Sequence, residues 1–177
     1  MENIKIIPYV AIDGIMSLPD SRVMALYDRM VEDGSHTVVF ASGDIQNKFE
    51  FLEYMKRRGV LLYVLKVDGI LAGVTWLDSL EKKTGFMHYC MFSNVWGRSD
   101  EIMREVVHQM IHMKDTRGEY IFDLFKGLVP AWNKRAVDFS VRCGGKILGT
   151  LPHAVWNYEQ GKSEDAVFIY YTRGKIE

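Results

Sequence analysis

The sequence is poor in cysteine and proline, and it has no excess of charge of either sign. Its two cysteines, Cys90 and Cys143, lie in apolar contexts without the spacing of metal ligands. Two such thiols suit a reducing compartment, so a disulfide-stabilised secreted fold is not expected. The 22 basic and 23 acidic residues nearly cancel, so no strong overall field attracts nucleic acid or an anionic membrane surface.

Long hydrophobic runs and targeting signals are lacking as well. The most apolar stretch, residues 59–76, is interrupted by Lys66 and Asp68, which argues against a membrane span. The first residues lack the basic start and apolar middle of a signal peptide. A chain of 177 residues can bury a sizeable core in one domain. We therefore expect one cytoplasmic domain over residues 1–177, with no nucleic-acid, membrane or metal partner.

The first third of the chain contains strand and helix patterns in succession. β-Branched residues predict a strand at 4–10. A helix is expected between a start signal at Leu18-Pro19-Asp20 and a stop at Gly34. Residues 37–40 predict a short strand or an extended loop. A second helix is expected over residues 46–58, and its inward-facing residues would be Phe49, Leu52 and Met55.

The middle of the chain predicts an antiparallel meander of three strands. Residues 60–67 and 70–77 flank Asp68-Gly69, a pair that tolerates the positive φ angles of a two-residue hairpin turn. A second turn at Lys82-Lys83-Thr84-Gly85 leads into a third strand at residues 86–92.

A helix with one apolar face is then expected from Asp100 to Met113, with Ser99 as its N-cap. A strand at residues 120–125, a helix opened by Pro130, and strands at 146–155 and 166–172 complete the order. The expected fold is an α/β (α+β) domain. Its mixed, mostly antiparallel sheet has about seven strands, with helices on both faces.

Three local patterns over residues 60–173 resemble the GNAT superfamily of acyl-CoA-dependent N-acyltransferases. Residues 95–99 are similar to the family's pyrophosphate loop, written Arg/Gln-x-x-Gly-x-Gly/Ala. Residues 133–136, followed by 143–145, are similar to its Asn-x-x-Ala helix and the Gly-Phe that follows. The stretch from Gly144 to Asp165 is similar to the closing hairpin. It is most like the ribosomal-protein and amino-acid N-acetyltransferase branch, including phage-encoded relatives.

The resemblance implies acetyl transfer from acetyl-CoA, as cosubstrate, to a primary amine by direct aminolysis of the thioester. The acyl-CoA would lie in a V-shaped opening between residues 86–92 and residues 120–125. Its pyrophosphate would bind the backbone N–H groups of Gly97, Arg98 and Ser99, at the positive end of the following helix. A backbone N–H near Met91 would polarise the carbonyl, and Asn133 would either bind the pantetheine arm or cap its helix. The acceptor would be a small amine or a protein N-terminus, and a homodimer is one possible assembly.

His88 is the candidate general base, because an imidazole titrates near neutral pH and His88 lies on the central strand. The alternative is a partly buried histidine with a hydrogen-bonded partner. Ser140 occupies the place where the family carries a tyrosine acid. Its hydroxyl would either hydrogen-bond the leaving thiolate or point to solvent, and Tyr89 and Tyr158 are possible substitutes.

Weaker patterns have simpler explanations. His108 and His112 have the spacing of two metal ligands, but a solvated helix face explains them better. Cys90 is more simply a buried thiol than a nucleophile. Three tryptophans either line an acceptor pocket or pack in the core: Trp96, Trp132 and Trp156.

A different class of function stays open beside the enzyme. No arginine or glutamine stands at the start of the loop motif, where Asn94 or Trp96 is found instead. Asp100 and Glu101 would repel a phosphate at the helix start. With Ser140 in place of a tyrosine, these departures favour a catalytically degenerate GNAT-fold module that serves in binding or assembly.

Overall fold

The structure is a computed structural model that describes residues 3–12 and 15–174. Its described residues group into two compact units. The first unit comprises the residues up to Asp78 together with His88–Gly97, and the second comprises Ser79–Met87 and the residues from Arg98 onward. The expectation of a single domain over the whole chain stays a prediction.

The helices and strands follow one another in the predicted order, with small additions. They are β1 (Ile4–Pro8), β2 (Ala11–Ile12), β3 (Ile15–Met16), α1 (Asp20–Glu32), α2 (His36–Val39), α3 (Lys48–Met55), β4 (Leu61–Val67), β5 (Ile70–Glu81), β6 (Thr84–Met91), a 3-10 helix (Ser93–Arg98), α4 (Ser99–Ile111), β7 (Leu124–Pro130), α5 (Lys134–Arg142), β8 (Lys146–Asn157) and β9 (Lys162–Thr172). Within the described residues, seven strands form one sheet in the order β1-β4-β5-β6-β7-β9-β8. The predicted mixed, mostly antiparallel sheet is confirmed.

The first unit has an apolar core between its helices and strands. α1 buries Val23, Leu26, Tyr27 and Met30, which recur at three- and four-residue steps and so share one face. They pack in one cluster with residues of α3, β4, β5 and β6. The hairpin between β4 and β5 turns at Asp68 and Gly69, with φ angles of 50° and 83°, as their sequence predicts.

The second unit places β7 between two partners. β7 pairs in parallel with the start of β6 and antiparallel with β9, from Leu124–Thr172 to Pro130–Ala166. The β8–β9 hairpin turns next to Gly161, which has a φ of 60°. α4 turns its predicted apolar face inward, since the side chains of Ile102, Met103, Val106, Val107 and Met110 are buried.

Several sequence predictions were wrong in detail. Residues 37–39 are helical rather than extended, and Phe40 is the C-cap of that helix. The Phe40 ring packs on the rings of Tyr27 and Trp76, with centroid distances of 6.0 Å and 5.8 Å, and this tertiary packing overrides the β propensity of the valines. In α3 the predicted inward position of Met55 is confirmed, since it is 2% exposed, but the second buried residue is Phe51, whereas Phe49 is 63% exposed.

The strand after α4 is also displaced from its predicted place at residues 120–125. It begins at Leu124, where its register with β9 starts, and Pro130 ends it instead of opening a helix. A proline suits a strand end because it lacks the N–H of a ladder hydrogen bond. None of the helices in the described part of the chain has the length and apolar character needed to span a membrane.

Candidate active site

Gly97 lies in the 3-10 helix that links β6 to α4, where the sequence predicted a tight loop. It is exposed, and a Cβ built on it would meet no described atom within 4 Å. α4 begins at Ser99 itself, with Arg98 in the N-cap position and no side-chain cap hydrogen bond. The predicted N-cap role of Ser99 is therefore wrong: the 3-10 helix continues to Arg98, so Ser99 is already helical. The space beside Gly97 is open for a ligand.

The 3-10 helix is held at its start by the end of α1. Asp33 accepts two hydrogen bonds from Ser93, at 2.8 Å from its backbone N–H and at 2.6 Å from its hydroxyl. Arg29 donates to the Ser93 hydroxyl at 3.1 Å and lies 3.5 Å from the Asp33 carboxylate, whose side chain is only 5% exposed. These contacts fix the backbone at the beginning of the predicted phosphate-binding segment.

Asp100 is one of the two acids in the first turn of α4 that were expected to repel a bound phosphate. Its carboxylate lies 3.0 Å from Nε of Arg142 and also accepts a hydrogen bond from the backbone N–H of Glu101. Partial desolvation opposes ionisation, but these hydrogen bonds outweigh it and lower the pKa of Asp100. The charge of Asp100 is thus compensated by Arg142, while its oxygens occupy part of the helix N-terminus.

β7 has an edge that its pairing with β6 covers only in part. The parallel register joins Thr84–Leu124, Gly85–Phe125 and Phe86–Lys126, and it does not include the next pair, Met87 and Gly127. On its other side β7 stays paired with β9 as far as Pro130. Residues 127–130 therefore lie beyond the β6 register, and backbone groups on that edge need partners from elsewhere.

Met91 ends β6 and is buried, with 7% of its surface exposed. Its carbonyl accepts a hydrogen bond of 2.9 Å from the indole N–H of Trp96, a residue of the 3-10 helix. The Trp96 side chain is partly exposed, at 44%, so Trp96 does not belong to the core. The Met91 carbonyl is occupied, and the predicted role of this position depends on its N–H group.

His88 lies on β6 beside two residues that the sequence reasoning missed. Its Nε2 is 2.8 Å from Oδ2 of Asp78 on β5, and the hydroxyl of Tyr54 on α3 donates to the same oxygen at 2.5 Å. The imidazole stacks on Trp76 with an interplanar angle of 8°. A hydrogen-bonded partner for His88 was one of the two expectations from the sequence. Its identity could not be predicted, because Asp78 lies ten residues away across a hairpin. An acidic residue within an otherwise apolar strand is unusual, and this is the one sequence feature that could have pointed to Asp78.

Ser140 lies in α5 and Asn133 is its N-cap, and both side chains form hydrogen bonds with the backbone of that helix. The Ser140 hydroxyl donates to the Ala136 carbonyl at 2.8 Å, and the residue is 1% exposed, so it does not point to solvent. Asn133 caps the helix, because its side-chain oxygen accepts from the Ala136 N–H at 3.1 Å. Of the two expectations for Asn133, capping is confirmed.

The two cysteines have the character of packed thiols. Burial, followed by the charge of Asp100, raises the pKa of Cys143 to about 12. Burial also raises the pKa of Cys90, whose sulfur lies 3.2 Å from the Ser35 hydroxyl. Thiolates are the reactive species, so neither thiol is an effective nucleophile near neutral pH.

We expect both thiols to resist 5,5′-dithiobis(2-nitrobenzoate) in the native protein at pH 8, because they are buried and protonated. After unfolding in guanidinium chloride, both should react. Prompt release of one equivalent of thionitrobenzoate from native protein would contradict this and would restore Cys90 as a candidate nucleophile.

The paired histidines and two of the tryptophans lie outside the candidate site. His108 and His112 lie on α4 with ring centroids 4.3 Å apart, and Nδ1 of His112 contacts the His108 carbonyl. The described residues contain no group of three or more metal-ligating side chains. Trp132 and Trp156 are each 48% exposed and line no core.

Comparison with known proteins gives the class of this fold. No model of a protein family matches the sequence, and no curated protein matches it. An acetyltransferase from Salmonella typhimurium that modifies the N-terminal serine of ribosomal protein L7/L12 is 15% identical, with a TM-score of 0.70 over 87% of this chain and 91% of that chain. The microcin C7 self-immunity acetyltransferase MccE, solved with acetyl-CoA and AMP, is 16% identical. Its TM-score is 0.61 over 84% of this chain and 88% of that chain.

A third structure is a chimera of the spermidine N-acetyltransferase SpeG from Vibrio cholerae and hSSAT. It is 11% identical, with a TM-score of 0.64 over 98% of this chain and 97% of that chain. Likeness at this level of identity establishes the fold, and the chain has the fold of the GNAT acetyltransferases. The resemblance stated from the sequence is confirmed to that extent.

Proposed function

We propose that the protein is an acyl-CoA-dependent N-acyltransferase that transfers an acetyl group from acetyl-CoA to a primary amine. The supporting observation is the fold, which it shares with N-acetyltransferases over most of its length. Fold alone does not define a reaction, so the proposal depends equally on particular backbone groups and side chains.

The cofactor would use backbone groups on two segments. The amides of the pantetheine arm would pair with the β7 edge at residues 127–130, beyond the end of the β6 register. The pyrophosphate would bind beside Gly97, where no side chain holds it away from the backbone, and the N–H groups of Gly97, Arg98 and Ser99 would donate to it in place of their hydrogen bonds within the 3-10 helix. Arg142 compensates Asp100, which reduces the repulsion expected from the sequence.

The reaction would be direct aminolysis. The amine nitrogen attacks the thioester carbon, a C–N bond forms, the C–S bond breaks and CoA leaves as a thiolate. His88 would take the proton that the amine loses, and the Met91 N–H would stabilise the negative charge that develops on the carbonyl oxygen. A hydrogen bond from Ser140 to the leaving thiolate stays a prediction. In the structure the Ser140 hydroxyl donates to the Ala136 carbonyl instead.

Acetyl-CoA is expected to raise the melting temperature, because a ligand that binds only the native state stabilises it by mass action. At one hundred times the dissociation constant the gain is about 2.7 kcal/mol, or about 5–10 °C for a chain of this size. Gly97→Trp would fill the space beside the phosphates and should remove most of that shift. Differential scanning fluorimetry measures both.

Gly149→Trp is the matched control, because a Cβ at Gly149 also meets no described atom within 4 Å. It should keep the full shift. A Gly97→Trp protein that is stabilised as much as the wild type would show that the phosphates bind elsewhere.

The rival proposal is a GNAT-fold module that no longer binds CoA. One observation favours it: the Asp100 carboxylate accepts a hydrogen bond from the Glu101 N–H and so occupies part of the helix N-terminus. Absence of any thermal shift with millimolar acetyl-CoA would decide for this module. The homodimer, the nature of the amine and the exclusion of nucleic acid and membrane partners stay predictions.

A further inference from the structure

The two nitrogens of His88 have different surroundings. Nε2 is buried and lies 2.8 Å from Asp78 Oδ2, although it makes no hydrogen bond of regular geometry. The side chain as a whole is 41% exposed although Nε2 is buried, so the exposed surface lies on the rest of the side chain, which includes Nδ1. Catalytic hydrogen bonds are often poorly aligned before substrate binds. The ring therefore presents one nitrogen to a carboxylate and leaves the other available to a substrate.

Asp78 is itself held in place. Its side chain is 14% exposed, and Oδ2 accepts a 2.5 Å hydrogen bond from the Tyr54 hydroxyl. Burial, together with this bond, raises the pKa of Tyr54 well above its usual value. Tyr54 therefore stays protonated and remains a donor to the carboxylate.

Packing fixes the plane of the imidazole. His88 stacks on Trp76 at a centroid distance of 5.0 Å, and Trp76 is in turn stacked on Phe40 at 5.8 Å. Trp76 is 2% exposed, so this platform belongs to the core. The backbone of His88 is tied as well, because Thr75 donates to its carbonyl at 2.7 Å.

We propose that Asp78 is a positioning residue for His88, and that it holds the imidazole with the proton on Nε2 and the lone pair on Nδ1. Nδ1 then accepts the proton that the attacking amine loses, and the Asp78 carboxylate stabilises the imidazolium that forms. This inference rests on the proposed function, in which His88 is the base. Tyr54 keeps the carboxylate in place by donating a hydrogen bond to the same oxygen, Oδ2.

The charged neighbours of this array bear on its pH dependence. Arg57 lies over the Tyr54 ring at 5.2 Å from its centroid and belongs to the same part of the first unit. Asp78 faces His88 from β5, Tyr54 faces Asp78 from α3, and Thr75 contributes an uncharged donor. The Asp78 carboxylate is thus a charge in direct contact with the imidazole, 2.8 Å from Nε2.

The test is Asp78→Asn, which keeps the shape of the side chain and removes its charge. We expect kcat to fall about 10–100-fold, part of what a general base contributes, while KM for acetyl-CoA stays unchanged. The acidic limb of the pH profile of kcat/KM should move to lower pH, because the imidazolium loses its counter-charge. Tyr54→Phe should lower kcat by a smaller amount, because the carboxylate keeps its charge but loses a contact that holds it in place.

Asp28→Asn is the control, because Asp28 is an exposed acid that pairs with Lys48. It should leave kcat and the profile unchanged. An Asp78→Asn enzyme with wild-type kcat and pH profile would overturn the proposal, as would a loss seen only in KM.

A second readout needs no activity. Nitrogen-15 chemical shifts of histidine, assigned with a His88→Gln protein, should show the Nε2–H tautomer for neutral His88 and a mixture in Asp78→Asn. If no amine is acetylated and CoA does not bind, the proposed function fails while this test of the contact still stands. If neutral His88 is already a mixture of tautomers in the wild-type protein, Asp78 does not fix its tautomer, and the proposal is wrong even for an active enzyme.

Discussion

His88→Ala is expected to lower kcat for acetyl transfer about 10²–10⁴-fold, the range that a positioned general base supplies. The dissociation constant for acetyl-CoA should change little, because the proposed phosphate and pantetheine contacts are made by other residues. The measurement is release of the CoA thiol with a panel of primary amines: an amino acid, a polyamine and a peptide N-terminus.

Two further variants separate catalysis from folding. His88→Gln keeps more of the packing on Trp76 and should lose as much activity as the alanine variant. His108→Ala, on the exposed face of α4, should retain full activity. If His88→Gln kept more than about a tenth of kcat, His88 could not be the base, given the 10²–10⁴-fold contribution expected of one.

Gly73→Ala is expected to destabilise the protein by about 1–3 kcal/mol, the usual cost of overpacking a core. A Cβ on Gly73 would lie 2.5 Å from the Cys90 carbonyl oxygen and 3.1 Å from the Met91 Cα. The closest atom belongs to the backbone of β6, so it cannot turn aside as a flexible side chain would. A loss of this size lowers the melting temperature by about 2–12 °C.

Gly149→Ala provides the comparison, since its Cβ would meet open space, and it should melt within about a degree of the wild type. We also expect Gly73→Ala to lower kcat, because the clash falls on the backbone that presents the Met91 N–H. A Gly73→Ala protein with unchanged melting temperature would show that β5 and β6 can separate at this point without cost.

The elements with strong local signals were predicted well from the sequence. Asp68-Gly69 specified its hairpin because positive φ angles are required there, and the apolar face of α4 followed from helical spacing. The placement of β7 was missed, because its register with β9 depends on residues 36 to 48 positions later. Phe49 and Phe51 are both aromatic residues of one helix, and only packing decides which of them is buried.

The candidate site was predicted less completely than the fold. His88 could be singled out by its residue type and strand, whereas its contacts with Asp78 and Tyr54 require β5 and α3 to be folded around it. Ser140 and Asn133 were chosen from the family pattern, and their hydrogen bonds to α5 could not be inferred from spacing alone. Pairings between distant residues decide which polar atoms remain available to a ligand.

In the proposed function, the link between Asp33 and Ser93 would speed the binding of the phosphates of CoA. Two short hydrogen bonds immobilise the start of the 3-10 helix before any ligand arrives. The conformational entropy of ordering that start is lost during folding and not at encounter. An incoming anion would meet donors next to an anchored turn, so its capture would not have to wait for the whole segment to rearrange.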